Sequence, residues 1–272
     1  IGYLMINNNI VLFDMDGTLT EPRGSFNTEL LLSFRNLIQY ADIGILTGSD
    51  YNYIEDQLMR LLKFSEIRFK LHLLPCNGTK YYKSPKYPQD EFELISKNNM
   101  ADELGYTCLR EIFKIVTRLQ SDACYTEIPL SGHFINYRGS MINWCPIGRN
   151  ATPEERSQFV EYDKFNNFRD RLIRNLRTKL SLKCPNKIEV KKGGETSFDI
   201  YPVGWDKTYA LRHFDESEWD FWFVGDRCGM DGNDYEIFNL LKPKSRAWET
   251  GSPEETVEII DLHILEELQY RR

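Results

Sequence analysis

The chain has 272 residues, of which 41% are hydrophobic and 28% are charged, and its formal net charge is −7. This composition is typical of a globular protein with room for one large domain or two smaller ones. The negative charge argues against a nucleic-acid-binding surface, and no apolar run approaches the ~18 residues that a membrane-spanning helix needs. We therefore expect no nucleic acid and no membrane among the partners of this protein.

The six cysteines are scattered along the chain and form no C-x-x-C pair. This spacing predicts neither a zinc site nor a disulfide framework, so we expect reduced thiols in a cytoplasmic protein. The four histidines contain no pair at i,i+4 spacing, which favours structural or surface positions for them. The chemistry of this chain is therefore expected to rest on carboxylates, a lysine and arginines.

An acidic motif follows the first apolar run. Residues 10–13 have the length and composition of a buried parallel strand, and Asp14 and Asp16 come directly after it. Open α/β sheets bind ligands at this end of their strands, and Gly17 permits a sharp turn there. Two carboxylates so close repel each other unless a cation lies between them or one is protonated. The alternative is an ordinary acidic turn, in which Asp and Gly are common.

Helices and strands alternate through the first part of the chain. The apolar positions predict helices over 28–40 and 51–64 and strands over 43–46 and 71–75. This alternation predicts right-handed βαβ units and a parallel sheet. Residues 80–89 are rich in lysine, tyrosine and proline, which indicates a connection between two domains.

An inserted segment of different character follows this connection. Its predicted elements are a helix over 111–120, a hairpin over 134–146, a helical stretch over 152–182 interrupted near Asp163, and strands over 188–191 and 196–201. Antiparallel strands backed by helices indicate an α+β domain, which we place at residues 85–202.

The parallel pattern returns after the insertion. The predicted elements are a helix over 205–214, a strand over 220–224, a helix from 233, a strand over 245–248 and a helix over 253–268. The fold class is therefore α/β, with a parallel-sheet core made of residues 1–84 and 203–272.

Polar side chains that suit phosphate follow several of the predicted strands. Phosphoryl transfer needs a nucleophile, a proton donor, positive charge and hydroxyl donors, and Mg²⁺ prefers a few carboxylates together with water. Taken singly, Lys207 is an ordinary surface residue and Thr47 a helix cap, but their order and placement favour one phosphate site. The residues that meet these needs are Asp14, Asp16, Thr47, Ser49, Lys207, Asp226 and Asp234.

This order of motifs, D-x-D-G-T, then a hydroxyl, a lysine and G-D…N-D, resembles the haloacid dehalogenase-like (HAD) phosphotransferase superfamily. Residues 137–141, 146–149, 154–156, 197–199 and 204–207 further resemble the eukaryotic-type phosphomannomutase family. These matches span nearly the whole chain and include the insertion. The resemblance implies a HAD-like parallel-sheet core with an inserted α+β cap.

The resemblance also implies a function and a set of site residues. The implied enzyme is a Mg²⁺-dependent phosphomannomutase of GDP-mannose biosynthesis that interconverts mannose 6-phosphate and mannose 1-phosphate, with a hexose bisphosphate activator and a homodimer formed through the cap. Asp14 is the implied phosphorylated nucleophile, Asp16 the general acid/base and Lys207 the third catalytic residue. The implied metal ligands are Asp14, Asp16, Asp226 and Asp234. The implied substrate ligands are Arg23, Thr47, Ser49, Arg138, Arg149, Arg156, Ser197 and Asp199.

The residue types agree with part of this assignment. Arginine's planar guanidinium suits a phosphate that is held but not attacked. In a strand, Ser197 and Asp199 project to one face while the intervening apolar residues project to the other. The chain also departs from the family: Thr47 replaces a frequent glycine, so either Thr47 or Ser49 contacts the phosphate. Leu240 and Pro243 replace the side chains of an accessory cation loop.

Two other functions fit the same motifs. A sugar-phosphate phosphatase has identical parts and differs only because water, not a sugar hydroxyl, attacks the phosphorylated Asp14. A catalytically inactive sugar-phosphate sensor is the second alternative. The presence of all four residues Asp14, Asp16, Lys207 and Asp226 argues against the sensor.

Overall fold

The computed structural model describes residues 8–21, 26, 28–124 and 126–271, without the side chains of residues 59, 60 and 62. The chain divides into two compact units. The core unit consists of Ile1–Lys97, Lys207–Met230 and Asp234–Arg272, and the cap unit of Asn98–Asp206 with Asp231–Asn233.

Strands and helices follow each other in the order expected of an α/β chain with an insertion. The strands are β1 Asn8–Phe13, β2 Asp42–Leu46, β3 Leu71–Leu74, β4 Lys80–Lys83, β5 Glu93–Lys97, β6 Ile135–Tyr137, β7 Ile142–Trp144, β8 Ile188–Gly193, β9 Ser197–Pro202, β10 Trp219–Gly225 and β11 Ala247–Glu249. The α-helices are α1 Thr28–Leu37, α2 Tyr51–Phe64, α3 Met100–Leu104, α4 Tyr106–Ala123, α5 Pro153–Asn166, α6 Phe168–Lys183, α7 Tyr235–Leu241, α8 Pro253–Ile259 and α9 Leu265–Tyr270.

The core unit is built on a seven-stranded sheet in the order β11-β10-β1-β2-β3-β4-β5. The five strands from β11 to β3 are parallel, and β4 and β5 continue the sheet in antiparallel pairing. Val11 and Phe13 pack on one side, in the apolar layer that contains residues of α1, α2, α8 and α9, while Ile10 and Leu12 pack in the layer that contains residues of α7. Because both faces of β1 are covered, its sequence is an uninterrupted apolar run.

Residues 80–89 are only partly the connection that the sequence predicts. Lys80–Lys83 forms β4, which pairs with β5, so the sheet of the core unit continues to Lys97. The strand forms because Tyr81 is buried and its hydroxyl lies 2.9 Å from His72 Nδ1 on β3. Lysines and prolines are common near the edge of a sheet, and their low strand propensity makes such a strand hard to predict from sequence.

Three helical predictions differ in detail from the structure. The stretch over 152–182 is broken at Asn167, which has φ +50°, and not near Asp163, whose carboxylate accepts the backbone N–H of Arg169. The helix predicted over 205–214 is a 3₁₀ helix at Lys207–His213. The closing helix contains a π-helical turn at Ile260–Ile264. Among the described residues, none of the helices combines the length and apolarity required to cross a membrane.

The cap unit contains a four-stranded antiparallel sheet in the order β6-β7-β9-β8. Trp144 on β7 stacks on Phe198 on β9 with ring centroids 5.1 Å apart. The Trp144 indole N–H donates to the side-chain oxygen of Gln120 on α4, and the Gln120 amide donates to the carbonyl of Pro146. These contacts fix a helix against one face of the sheet, as expected of an α+β domain.

Two cysteines of the cap unit form a disulfide, so the expectation that all six are reduced thiols is wrong. Cys108 on α4 and Cys184, which follows α6, are 76 residues apart in sequence and 5.8 Å apart between Cα atoms. Because the packing of α4 on α6 brings them together, their sequence spacing carries no sign of the pairing. The remaining four cysteines are not disulfide-bonded.

Candidate active site

The ends of three neighbouring parallel strands carry the acidic and hydroxyl residues of the core unit. Asp14 follows β1, Thr47 follows β2 and Asp226 follows β10. The backbone N–H of Asp14 donates to the carbonyl of Val224 at 2.9 Å, which fixes the first residue after β1 against β10. Parallel pairing therefore brings these side chains to one edge of the sheet, as the sequence predicts.

Lys207 is the centre of a buried ion-pair cluster. Its side chain is fully buried, and its Nζ donates to a carboxylate oxygen of Asp14 and to Asp234 Oδ1. Burial alone would lower the pKa of the Lys207 ammonium, but the charges of Asp14 and Asp234 outweigh this effect and raise it above its usual range. Lys207 is therefore a fixed positive charge next to Asp14.

The carboxylates of Asp14, Asp226 and Asp234 form a cluster that suits a metal ion. One oxygen of each lies within 4.8 Å of the others. Burial raises the pKa of Asp14 well above its usual range, and the charges of Asp234 and Asp226 raise it further, against the opposing effect of Lys207. Burial and then the charge of Asp234 raise the pKa of Asp226 to about 6. A bound cation would relieve this repulsion.

The surroundings of the Asp226 carboxylate are those expected of a metal ligand. Its Oδ1 is buried and has no hydrogen-bond partner within the described part of the chain. Both oxygens of Asp234, in contrast, are used by the chain, because Oδ1 accepts from Lys207 and Oδ2 accepts from the backbone N–H of Arg227 at 3.0 Å. These contacts favour Asp226 over Asp234 as a metal ligand and place Asp234 against the Lys207 ammonium.

Asp16 has a different environment from the cluster. Its Oδ1 accepts a hydrogen bond of 2.6 Å from the hydroxyl of Tyr53 on α2. Gly17 lets the chain turn beside it with φ +87°, and a Cβ at Gly17 would lie 2.5 Å from an oxygen of Asp226. Tyr53 belongs to no motif in the sequence, although its place in the first turn of the helix after β2 puts it at this edge of the sheet.

Thr47 and Ser49 both follow β2 but differ in exposure. Thr47 is buried and its Oγ1 accepts the backbone N–H of Ser49 at 3.1 Å, whereas Ser49 is half-buried. The backbone N–H of Asn77 donates to the carbonyl of Thr47, which ties this loop to the one after β3. The loop therefore offers two hydroxyls at the same edge as Asp14.

In the cap unit, one buried side chain connects three of the predicted substrate ligands. The side-chain nitrogen of Asn143 on β7 lies 3.0 Å from Ser197 Oγ and 2.8 Å from Asp199 Oδ1 on β9. Its side-chain oxygen accepts from the guanidinium of Arg149 at 2.9 Å. Asn143 belongs to none of the predicted site residues, and its signal in the sequence is a single polar residue between two apolar ones on a strand.

The other predicted arginines have separate surroundings. The Arg156 guanidinium donates to Oγ1 of Thr196, the residue before Ser197, at 3.3 Å. It also lies 3.4 Å from a carboxylate oxygen of Glu195. Arg138 is buried in the turn between β6 and β7, where its backbone N–H donates to the carbonyl of Met141. Asn143 bonds to neither of them among the described residues. Arg23 lies outside the residues that the structure describes.

Solved structures with a similar architecture define the fold class of this chain. An IMP-bound, N-terminally truncated IMP-nucleotidase from Plasmodium falciparum matches with a TM-score of 0.60 and 17% identity, over 96% of this chain and 68% of that one. A trehalose-6-phosphate phosphatase from Aspergillus fumigatus matches with a TM-score of 0.52 and 16% identity, over 96% of this chain and 93% of that one. These likenesses show that the chain has a HAD-like fold.

Sequence comparison identifies the family within this class. The sequence model described as eukaryotic phosphomannomutase matches residues 30–266. A phosphomannomutase from Dendrobium officinale is 36% identical over 94% of both chains. One from Encephalitozoon cuniculi is 35% identical over 93% of this chain and 92% of its own. The chain belongs to the eukaryotic phosphomannomutase family, which confirms the resemblance seen in its motifs.

Proposed function

We propose that this protein interconverts mannose 6-phosphate and mannose 1-phosphate through a phosphorylated Asp14. The observation that carries the proposal is the Lys207–Asp14 contact, which holds a buried ammonium against the carboxylate that follows β1. A fixed positive charge at this place compensates the negative charge that accumulates on a phosphoryl group during transfer. The names of the relatives, which are phosphomannomutases, support the choice of substrate.

The proposed reaction has two half-steps. The Asp14 carboxylate attacks the phosphorus of a hexose bisphosphate, the bond from phosphorus to the sugar oxygen breaks, and Asp16 protonates that oxygen. In the return step, Asp16 accepts the proton of the attacking sugar hydroxyl as the phosphoryl group leaves Asp14. Tyr53 orients Asp16 through its hydrogen bond. The hydroxyl of Thr47 or Ser49 donates a hydrogen bond to a phosphate oxygen.

Mg²⁺ is the proposed cofactor, held by Asp14 and Asp226. When bound, it supplies positive charge that screens the phosphate oxygens and the crowded carboxylates. Asp16 and Asp234, which the sequence also predicts as ligands, have contacts to Tyr53 and Lys207 instead. Their ligation stays a prediction.

The proposed substrate ligands of the cap unit bind the phosphate that is not transferred and the sugar hydroxyls. Arginine suits the phosphate because its N–H groups form charge-assisted, bidentate hydrogen bonds. Arg138, Arg149 and Arg156 are the candidates for this role, and Ser197 and Asp199 suit the hydroxyls. Domain limits near residues 84 and 202, assembly as a homodimer through the cap and the GDP-mannose pathway stay predictions.

Product analysis separates the proposed mutase from a phosphatase. Mannose 1-phosphate is supplied with Mg²⁺ and a trace of hexose bisphosphate, and the products are followed by ³¹P NMR. The proposal predicts mannose 6-phosphate in large excess over inorganic phosphate. Release of one inorganic phosphate per turnover would establish a sugar-phosphate phosphatase, and the absence of both products would refute either enzyme.

A further inference from the structure

Asn143 on the cap sheet lies among three polar side chains, those of Arg149, Ser197 and Asp199. It lies directly opposite Asp199 in the antiparallel pairing of β7 with β9 and is 3% exposed. Its neighbours Ile142 and Trp144 are buried on the other face of the strand. A buried amide costs free energy unless its hydrogen bonds are made. Those of Asn143 reach a guanidinium, a carboxylate and a hydroxyl.

The chemistry of these partners determines the orientation of the amide. The Arg149 guanidinium is a hydrogen-bond donor only, so it requires the Asn143 oxygen. The Asp199 carboxylate, in its ionised form, is an acceptor only, so it requires the Asn143 nitrogen. Asparagine is therefore the residue of this size that can join a cation on one side to an anion on the other. An aspartate here would place two carboxylates against each other, and an apolar residue would lose both bonds.

We propose that Asn143 is a positioning residue that sets the orientation of Arg149, Ser197 and Asp199 for the sugar phosphate, an inference that rests on the proposed function. One amide couples the candidate phosphate ligand, Arg149, to the two candidate hydroxyl ligands. The second hydrogen bond of the serine, from Oγ to the carbonyl of Gly193, fixes its other side. Asn143 itself acts through these three side chains and does not touch the reacting atoms.

The geometry of Gly193 supports a site built around this arrangement. A Cβ at Gly193 would lie 2.7 Å from an oxygen of Asp199, so the close approach of β8 to this carboxylate requires glycine. Asp199 is thereby held from two directions, by the Asn143 amide and by the backbone of β8. The Asn143 amide donates to this carboxylate from β7, while β8 borders it on the other side with Gly193 and with Lys191, which is directly opposite Asp199.

The test compares Asn143→Ala and Asn143→Asp with a matched buried amide, Gln120→Met. Gln120 is also buried in the cap unit and makes side-chain hydrogen bonds to Trp144 and Pro146, but none to the three ligands. We expect both Asn143 variants to raise the KM for mannose 1-phosphate about 10- to 100-fold with a smaller change in kcat, because buried partners lose their hydrogen bonds. Gln120→Met is expected to lower the melting temperature with a KM close to that of the wild type.

Several outcomes would overturn the inference. An unchanged KM in a folded Asn143 variant would remove Asn143 from substrate positioning, and an equal rise in Gln120→Met would show general loosening of the cap. If Asn143→Ala does not fold, Asn143→Asp, which keeps the volume and the bond to Arg149, decides the question by the same KM. Calorimetric binding of mannose 1-phosphate provides the same comparison if the wild type proves to be no mutase, so the two proposals fail separately.

Discussion

The hydroxyl of Tyr53 lies 2.6 Å from Asp16 Oδ1, which makes a tyrosine of α2 the partner of the proposed general acid/base. Asp14, two residues earlier, is bound instead to Lys207. Asp16 thus has a contact with a neutral hydroxyl, and Asp14 has one with an ammonium. This difference is the structural basis for giving them different roles, Asp14 as nucleophile and Asp16 as proton carrier.

Tyr53→Phe is expected to lower kcat about 10- to 100-fold, because a hydrogen bond to a charged group is lost and Asp16 is no longer oriented. The KM for mannose 1-phosphate should change less. Steady-state kinetics measure both constants. Tyr51→Phe is the matched control, since Tyr51 lies in the same helix turn as Tyr53 and its ring packs on Tyr82 of β4. Equal effects of the two variants would contradict the role of Tyr53.

Lys207→Met is expected to reduce the free energy of unfolding by about 3–5 kcal/mol, because it leaves the buried carboxylates of Asp14 and Asp234 without their cation. Urea denaturation measures this loss. Adding Asp234→Asn to the same chain removes one of the unpaired charges and should recover part of the stability, but no activity. If Lys207→Met alone were as stable as the wild type, the stabilising role of the ion-pair cluster would be refuted.

The raised pKa of Asp226, about 6, predicts that the free energy of unfolding depends on pH when a chelator keeps metal ions off the protein. An unfolded aspartate has a pKa of about 3.9, so between about pH 4 and pH 6 the folded state binds more protons than the unfolded state. The free energy of unfolding should therefore fall as the pH rises through this window, relative to Asp226→Asn. Thermal melting of both proteins with EDTA measures the difference, and Mg²⁺ should restore the wild type at pH 7.5. Parallel pH curves for the two proteins would contradict it.

The disulfide between Cys108 and Cys184 is expected to stabilise the cap unit by about 2–5 kcal/mol. Cys108→Ser should therefore lower the urea midpoint, and reductant should lower the midpoint of the wild type but not of this variant. Cys124→Ser, at an exposed cysteine without a disulfide, is the control. A wild-type midpoint that does not respond to reductant would show that the bond contributes nothing to stability.

The parts of the fold that the sequence predicts are those with strong periodic signals. The buried strand before Asp14 and the helix from Tyr51 are found where expected, because one is an uninterrupted apolar run and the other has a clear apolar face. Strand β4 was missed because lysines and prolines dominate its surroundings. Its stability comes from a contact between Tyr81 and His72 that is visible only after folding.

The candidate site shows the same limit. The carboxylate cluster could be predicted because Asp14, Asp226 and Asp234 belong to motifs at strand ends, and their convergence follows from parallel pairing. Tyr53 and Asn143 belong to no motif, since neither has partners at a characteristic spacing in the sequence. Their roles arise from hydrogen bonds between elements that are distant in the sequence, which residue spacing does not report.

The central claim, that phosphoryl transfer passes through Asp14, is tested most directly by trapping the phosphorylated enzyme. Wild type and Asp14→Asn are mixed with hexose bisphosphate and Mg²⁺, quenched in acid within one turnover, digested and analysed by mass spectrometry. We expect one phosphoryl group on Asp14 of the wild type, lost on treatment with hydroxylamine, and no phosphorylation of Asp14→Asn. Turnover of mannose 1-phosphate with Asp14 unmodified, or with the phosphoryl group on another residue, would contradict it.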